Sequence, residues 1–421
     1  MKVLHIAVHL GGGVGRAHSV LAAASPPDMR RHYVLLETPR DVRFVNSVEA
    51  SRAEITIAPD DVTVARLAAE ADVVQVEWWN HPRLYACLSR ADLPSIRSVF
   101  WCHVSGLHAP YIPTGLFSAA DSVLLTSACS FAAPNVSSLP AEIRSRIAVA
   151  NSAFGFERKG IARPRNVSTP AVTYLGTVDF AKMSPQFFDI VDAVERAELT
   201  VSVWGAVDPS GAVARRAAAM RFPERISFKG HSADPADALA DPGIFLYPLQ
   251  ARHFGTAENA LIEAMSLGWA PLVLDNPAEA AIVRHGETGF VERDAPAAAR
   301  RLSWMMERPD VVARIGEQAA ADVAATRTPA QLVRAFECSY RTALARPKRQ
   351  VNFASILGDT PADWFLSTLC LNNEMRDSVG FSTDAAASKG SFNHFLTCFP
   401  GDASLTALAA RLAPMPSKRT P

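Results

Sequence analysis

The chain has 421 residues, 49% hydrophobic and 20% charged, and its 42 basic side chains balance 42 acidic ones. That length allows two or three domains with sizeable cores, and zero net charge removes any global electrostatic argument for nucleic acid as a partner. Six cysteines, Cys87, Cys102, Cys129, Cys338, Cys370 and Cys398, are scattered without C-x-x-C spacing, which suits reduced, buried thiols better than a disulfide framework or a zinc site.

Residues 3–8 form an apolar run that is too short to span a membrane, lacks a cleavage site and ends in glycines, so it reads as a first strand rather than a signal peptide. A cytoplasmic location is the expectation, with peripheral membrane association left open. Gly11-Gly12-Gly13-Val14-Gly15-Arg16 follows, then a helical stretch to residue 24. Strand, glycine turn and helix in that order open most nucleotide-binding α/β domains. The dinucleotide form needs a glycine where Arg16 stands, so that form is not matched. Apolar runs at 33–36, 55–58, 73–76, 98–101 and 122–125, separated by helical segments, predict a parallel sheet covered on both faces.

Two of these runs end in unusual residues. One leads into Glu77-Trp78-Trp79-Asn80-His81, the other into His103. Ligands bind beyond the carboxyl ends of strands in open parallel sheets, which makes these residues site candidates. Lys, Arg, Pro, Asn and Ser dominate residues 158–170, the expected linker. The rhythm then restarts, with strands at 171–175, 199–204, 225–229, 243–247 and 270–274 and helices at 185–197, 212–220 and 236–240. The prediction is two α/β domains of similar size in tandem, 1–165 and 166–345, with sheets facing a cleft, and a helical extension at 346–421.

The stretch from His253 to Gly268 reads as a glycine loop feeding a helix, with Thr256 placed to cap it and Gly268 where it stops. Such a junction aims backbone N–H groups and the positive end of the helix dipole at whatever lies in front, and phosphates bind there. Asn259 and Glu263 are one turn apart, whereas Glu258 and Glu263 are about 140° apart and must do different work.

In this order the motifs resemble the GT-B fold of retaining glycosyltransferases, most closely glycosyltransferase family 4. The resemblance rests on Gly176 to Lys182, Phe228-Lys229-Gly230, Glu263-Ala264-Met265, and Ala278-Glu279-Ala280-Ala281-Ile282-Val283 with Gly286-Glu287-Thr288-Gly289. It covers residues 1–345 in rhythm and is specific from about 172 to 292. It implies that Lys182 contacts the diphosphate of a nucleotide-sugar donor, that Glu263 accepts from the ribose hydroxyls, that Gly12 and Gly13 approach the diphosphate, and that His103 lies beside the transferred sugar. Thr177, His231, Thr256, Ala257, Glu258, Asn259 and Ala260 complete the implied donor site. Arg16, Trp78, Trp79, Asn80 and His81 are the acceptor-side candidates. No metal ion and no cofactor beyond the donor are expected, because no His/Cys cluster has ligand spacing.

Two positions depart from the family pattern. Thr177 stands where an arginine is expected, and Gly255 stands eight residues before Glu263 where a glutamate is expected. Either Glu258 reaches the sugar hydroxyls from a reshaped loop, or donor-sugar recognition is altered, or activity is lost. The implied reaction moves a hexose from a UDP- or GDP-sugar to a glycan, lipid-linked or small-molecule acceptor. The rivals are a sugar-nucleotide epimerase, a phosphorylase, and a non-catalytic binding protein or inactive partner subunit. Beyond residue 328, Thr328-Pro329-Ala330-Gln331 opens a capped helix, and Thr360-Pro361 opens another that carries Trp364 and Phe365.

Overall fold

The computed structural model describes residues 1–152, 169–209, 211–232, 235–253, 255–369 and 390–412. Most of the expected linker at 158–170 lies outside them, as does the end of the chain. The chain divides into two compact units, Met1–Leu125 with Ser130–Val149 and Ala335–Pro421, and Thr126–Cys129 with Ala150–Arg334.

The first unit is built on seven strands: β1 (Lys2–Ala7), β2 (Arg30–Leu35), β3 (Glu54–Ile57), β4 (Val73–Trp78), β5 (Ser98–Cys102), β6 (Ser122–Leu125) and β7 (Ile147–Val149). They form one sheet in the order β3-β2-β1-β4-β5-β6-β7, and every neighbouring pair is parallel. The central strands are buried on both faces, which is why they read as largely apolar runs, with Gln75 and Glu77 of β4 the buried polar exceptions. β7 has only three residues and was not expected from the sequence.

The second unit carries β8 (Val172–Leu175), β9 (Val201–Trp204), β10 (Ile226–Gly230), β11 (Ile244–Leu246), β12 (Ala270–Leu274) and β13 (Phe290–Glu292). Their order is β10-β9-β8-β11-β12-β13, again all parallel. In each sheet the order reverses once, between β1 and β4 in the first and between β8 and β11 in the second. Those switch points open a crevice beyond the carboxyl ends of the strands. The loops that leave them are the glycine turn after β1, Trp79 onward after β4, Gly176 to Lys182 after β8, and Tyr247 to Glu258 after β11.

The helix Pro329–Leu344 starts with the expected reciprocal cap: Gln331 N donates to Thr328 Oγ1 at 3.2 Å, and Thr328 N donates to the Gln331 carboxamide oxygen at 3.0 Å. Thr360 and Asp363 form a second capping box at the helix Pro361–Ser367. The residues after 346 join the first unit rather than standing apart. Helices Ala354–Leu357, Pro361–Ser367 and Phe392–Cys398 all pack on the helix Pro82–Arg90. Arg349 makes a two-way backbone bridge with Ile96, with both N···O distances 3.0 Å.

A buried carboxylate fastens this tail. Asp121, fully buried, accepts from Ser98 N at 2.8 Å and from Arg346 Nε at 3.0 Å, and Arg349 Nε lies 3.3 Å away. Asp121→Ala removes the acceptor from two donors and the counter-charge from Arg349. Because both guanidinium groups are about a third exposed, water recovers part of the loss, and the expected cost is ~2–3 kcal/mol in urea unfolding. A loss below ~0.5 kcal/mol shows that the tail is fastened elsewhere.

Candidate functional site

At the switch point of the first sheet, Glu77 occupies an interior position of β4 and is fully buried. Its Oε1 accepts from Gln75 Nε2 at 2.6 Å and faces His5 Nδ1 at 3.3 Å, while Oε2 lies 3.0 Å from both His18 Nε2 and His103 Nε2. Behind them Arg31 Nη1 reaches His5 Nε2 at 2.8 Å and donates to Tyr340 Oη at 3.1 Å, and Tyr340 donates to the Gln75 carboxamide oxygen.

Proton positions follow from the donors that have no choice. Arg31 can only donate, so His5 Nε2 accepts and its proton sits on Nδ1, aimed at Glu77. Tyr33, its phenol kept protonated by burial, sits 3.2 Å from His18 Nδ1. Burial alone would push the Glu77 carboxyl up, but His18 and the hydrogen bonds from His103 and His5 outweigh it and hold it well below the usual carboxylate range. Burial pushes the His5 imidazolium down to about 3 against the pull of Glu77, so His5 is neutral at physiological pH.

The remaining candidates of this unit fall around that centre. The helix Gly12–Ala23 begins at Gly12, exposed with φ +58°, and Gly11 gives it no side-chain cap. Gly13 and Arg16 are half-buried. Trp78 and Asn80 are fully enclosed, with Trp78 Nε1 donating to Asn80 Oδ1 at 2.7 Å and Asn80 Nδ2 donating to Pro110 O at 2.8 Å. They brace the loop from inside. Trp79 and His81 are also buried and lie beside His9, and Trp79 is in ring contact with His103.

In the second unit Gly176 follows β8, and the turn after it is shaped by Asp179, which accepts from Ala181 N at 2.9 Å and Lys182 N at 3.2 Å. Lys182 Nζ lies 3.1 Å from Glu258 Oε2, and the Tyr247 hydroxyl at the end of β11 donates to the same oxygen at 3.0 Å. The helix Asn259–Ser266 is not capped by Thr256. Its N-cap is Glu258 in the left-handed region, φ 38° and ψ 58°, with no side-chain cap. A non-glycine residue held there costs about 1–3 kcal/mol and persists only where its surroundings over-determine it.

The reason lies three residues earlier. A Cβ built on Gly255 would overlap Glu258 Oε1 and press on His253 Nδ1. The carboxylate of Glu258 therefore occupies the space in which a side chain at position 255 would start. A side chain at 255 could enter only if the Glu258 carboxylate moved away.

His253 lies beside the other oxygen of this carboxylate. Its Nδ1 accepts from Gly255 N at 3.0 Å and lies 3.7 Å from Glu258 Oε1, and its Nε2 lies 3.0 Å from Glu279 Oε1. Burial opposes the charge on all three groups, but Lys182 and His253 hold Glu258 below its ordinary value. Glu279, also facing the Glu258 charge, is raised, and the two carboxylates raise His253. Glu263 is buried on the same helix one turn beyond Asn259. Ala257, Asn259 and Ala260 are half-buried and Thr256 is buried, whereas Thr177, His231 and Arg252 lie at the surface.

Sequence reasoning named Glu77 only as part of the polar run after a strand and did not single out His5, His18, Arg31, Tyr340, Tyr247, His253 or Glu279 as site residues. The readable signal was a titratable residue inside an apolar strand, His5 in β1 and Glu77 in β4. Tyr340 offers none, being 265 residues from Gln75. The expectation that nothing could hold a metal came from spacing alone. Folding assembles three sets of ligand atoms within 4.8 Å of one another from distant residues: His81, His394 and Cys398; His5, His18 and Glu77; His253, Glu258 and Glu279. In the last two, a guanidinium or an ammonium already faces the set.

With this geometry in place, comparison with known proteins gives the following. The family described as Glycosyl transferases group 1 matches residues 169–308, the segment that contains Lys182, Glu258 and Glu263. No curated protein matches the sequence. Among solved structures, Anabaena Alr3699/HepE in complex with UDP and glucose aligns at a TM-score of 0.65 with 16% identity, over 81% of this chain and 100% of that one. A glycosyltransferase from Rickettsia africae ESF-5 aligns at 0.65 with 12% identity, over 82% and 99%. The sucrose-phosphate synthase of Thermosynechococcus elongatus aligns at 0.60 with 13% identity, over 82% and 100%. At these identities the likeness carries the fold, and the fold is GT-B: two tandem Rossmann-like domains.

Two measurements check this geometry. Gly255→Ala forces a methyl group against the Glu258 carboxylate and should cost ~1–3 kcal/mol. Combined with Glu258→Ala the loss should fall short of the sum of the single losses by ~1 kcal/mol or more, and additivity within ~0.3 kcal/mol refutes the overlap. His5 has a folded value below its unfolded value of 6.5, so the unfolded chain takes up that proton first. Stability is untouched above about pH 7 and falls as pH drops from about 6.5 towards 3, by up to ~1.4 kcal/mol per pH unit. His5→Gln should flatten that slope, and an unchanged slope assigns it to other groups.

Proposed function

We propose that this chain is a glycosyltransferase of the family 4 type, which moves a hexose from a UDP- or GDP-sugar to a glycan, lipid-linked or small-molecule acceptor with retention of configuration, in the cytoplasm and without a resident metal. The observation that carries it is the Glu258 carboxylate seated in the place of a side chain at 255 and paired with Lys182. It removes the larger of the two departures from the family pattern. The match over residues 169–308 supports the same reading, and the Anabaena protein, solved with UDP and with UDP-glucose, makes UDP the first nucleotide to test.

In this reading the bond from the anomeric carbon to the diphosphate oxygen breaks with its electron pair going to the phosphate. The acceptor oxygen bonds to the anomeric carbon on the same face, and its proton passes to the departing phosphate. Lys182, the mouth of the helix Asn259–Ser266 and the Gly12-Gly13 amides stabilise the charge that develops on the leaving group. Glu258 accepts from hydroxyls of the transferred sugar, Glu263 from those of the ribose, and His103 stands beside the sugar. A second reading, a nucleotide-sugar-binding protein without turnover, draws on Thr177, which is exposed and uncharged where a phosphate-binding arginine is expected.

The test begins with thermal stability in millimolar UDP, GDP, ADP and NAD, then in the matching sugar nucleotides. A ligand at about 100 times its dissociation constant adds roughly 2.7 kcal/mol, a shift of a few degrees. The expected outcome is a shift with one nucleoside diphosphate and release of that nucleotide from its sugar, with the anomeric configuration of the product read by NMR. Lys182→Ala should lower kcat about 10²–10³-fold. Saturable nucleotide binding with no turnover selects the second reading, and no shift with any nucleotide refutes both.

A further inference from the structure

Arg97, Asp121 and Arg146 are the residues immediately before β5, β6 and β7, so they stand side by side at the amino end of the first sheet, opposite the loops that leave β1 and β4. The chain after the helix Pro329–Leu344 adds Arg346 and Arg349 to them. Arg346 Nε donates to Asp121 Oδ1 at 3.0 Å, and Arg349 Nε lies 3.3 Å from the same oxygen. Arg97 Nε donates to the Arg346 carbonyl at 2.7 Å. Arg146 Nη1 and Arg349 Nη2 donate to the adjacent carbonyls of Ala120 and Ala119, where the helix Thr114–Ala119 ends. Four guanidinium groups therefore converge on one buried carboxylate, and the exposed Glu142 is the other acid that acts on Arg146. Helix-end carbonyls carry only partial charge, so positive charge about equal to that of a dianion stays uncompensated. Burial first, and then the charges of Arg346 and Arg349, lower the Arg146 guanidinium below its ordinary value. Among the described residues, Arg146 Nε is buried without a hydrogen-bond partner, and neither terminal nitrogen of Arg346 has one. The cluster is rich in donors and short of acceptors.

We propose that this cluster binds the phosphate group of a small soluble molecule, held by Arg146, Arg346 and Arg349 at the amino end of the first sheet. The site belongs to the first unit alone and does not depend on the transferase reading. A guanidinium is a planar fork of donors that matches two oxygens of a phosphate at once, and it keeps its charge throughout the physiological pH range. Two Nε atoms that share one carboxylate oxygen are no further apart than their two distances to it combined, a span that one tetrahedral oxyanion bridges. Donors drawn together that closely suit a compact anion rather than an extended membrane surface. The side chains of Arg346 and Arg349 are 38% and 35% exposed, while Asp121 has no exposed side-chain surface and holds them from behind. Asp121 is the inner anchor and the phosphate the outer one. Because Arg346 and Arg349 also fasten the tail, the bound anion tightens that fastening.

Isothermal titration calorimetry of the full-length chain with inorganic phosphate and with inorganic diphosphate, at about 0.15 M ionic strength, reads the site without reference to activity. The expected result is saturable binding that is equal in the wild type and in Lys182→Ala, and at least about tenfold weaker in Arg146→Gln. Arg146→Gln leaves both tail arginines on Asp121, so it tests the anion and not the tail. Should it fail to fold, Arg346→Lys, which keeps the charge and loses the fork, must weaken binding by the same factor. No saturable heat with either anion overturns the proposal. Binding that vanishes in Lys182→Ala and survives in Arg146→Gln belongs to the donor site, which overturns the proposal and leaves the transferase reading standing. Co-sedimentation with phosphatidylglycerol vesicles, lost in Arg146→Gln and unaccompanied by binding of free phosphate, puts a lipid surface in place of the small molecule and overturns it as well.

Discussion

A carboxylate enclosed in protein must be met by donors in proportion to its lone pairs, and both candidate centres of this chain are arranged around that requirement. At Glu77 the demand is met by three histidines and a glutamine, and the histidines are in turn oriented by Arg31 and Tyr33. At Glu258 it is met on Oε2, by Lys182 and Tyr247, with the raised His253 beside the other oxygen. The two solutions differ in kind. The first uses donors on neighbouring strands and a helix of the same sheet, so its geometry is rigid. The second needs a left-handed residue and a glycine three positions earlier, so its geometry depends on the loop.

The alternation of strands and helices was legible because parallel strands buried on both faces have to be apolar throughout. Runs at 73–76, 98–101 and 270–274 differ from β4, β5 and β12 by at most two residues at either end. β7 was missed because three residues at a sheet edge carry too little pattern. The switch points were not readable from any run in isolation, since strand order is a property of crossovers. Once the order is known, the loops after β1, β4, β8 and β11 follow as the places where a ligand can approach the strand ends.

The site was legible where chemistry sits in a contiguous motif and illegible where it is assembled across the fold. Lys182 and Glu258 could be named because the turn after β8 and the loop before the helix Asn259–Ser266 each keep their residues in a short span. Thr256 was misread as the cap because a threonine three residues before Asn259 is a good local solution, and local propensity yields when a buried ion pair sets the backbone. Arg31 and Tyr340 had no sequence signal, since the first sits at a strand start and the second on a helix more than three hundred residues away.

The glycine at 255 and the glutamate at 258 belong to one arrangement of this loop. A glutamate at 255 and a glutamate at 258 cannot both place carboxylates in the space beside Lys182 and His253, because the second carboxylate begins where the first side chain would. Loss of the side chain at 255 and a left-handed turn at 258 are thus one change. The glycine makes room, and the turn brings in a carboxylate that would otherwise follow the helix outward. Counting positions finds glycine at 255, and only the backbone conformation shows that a carboxylate stands beside Lys182.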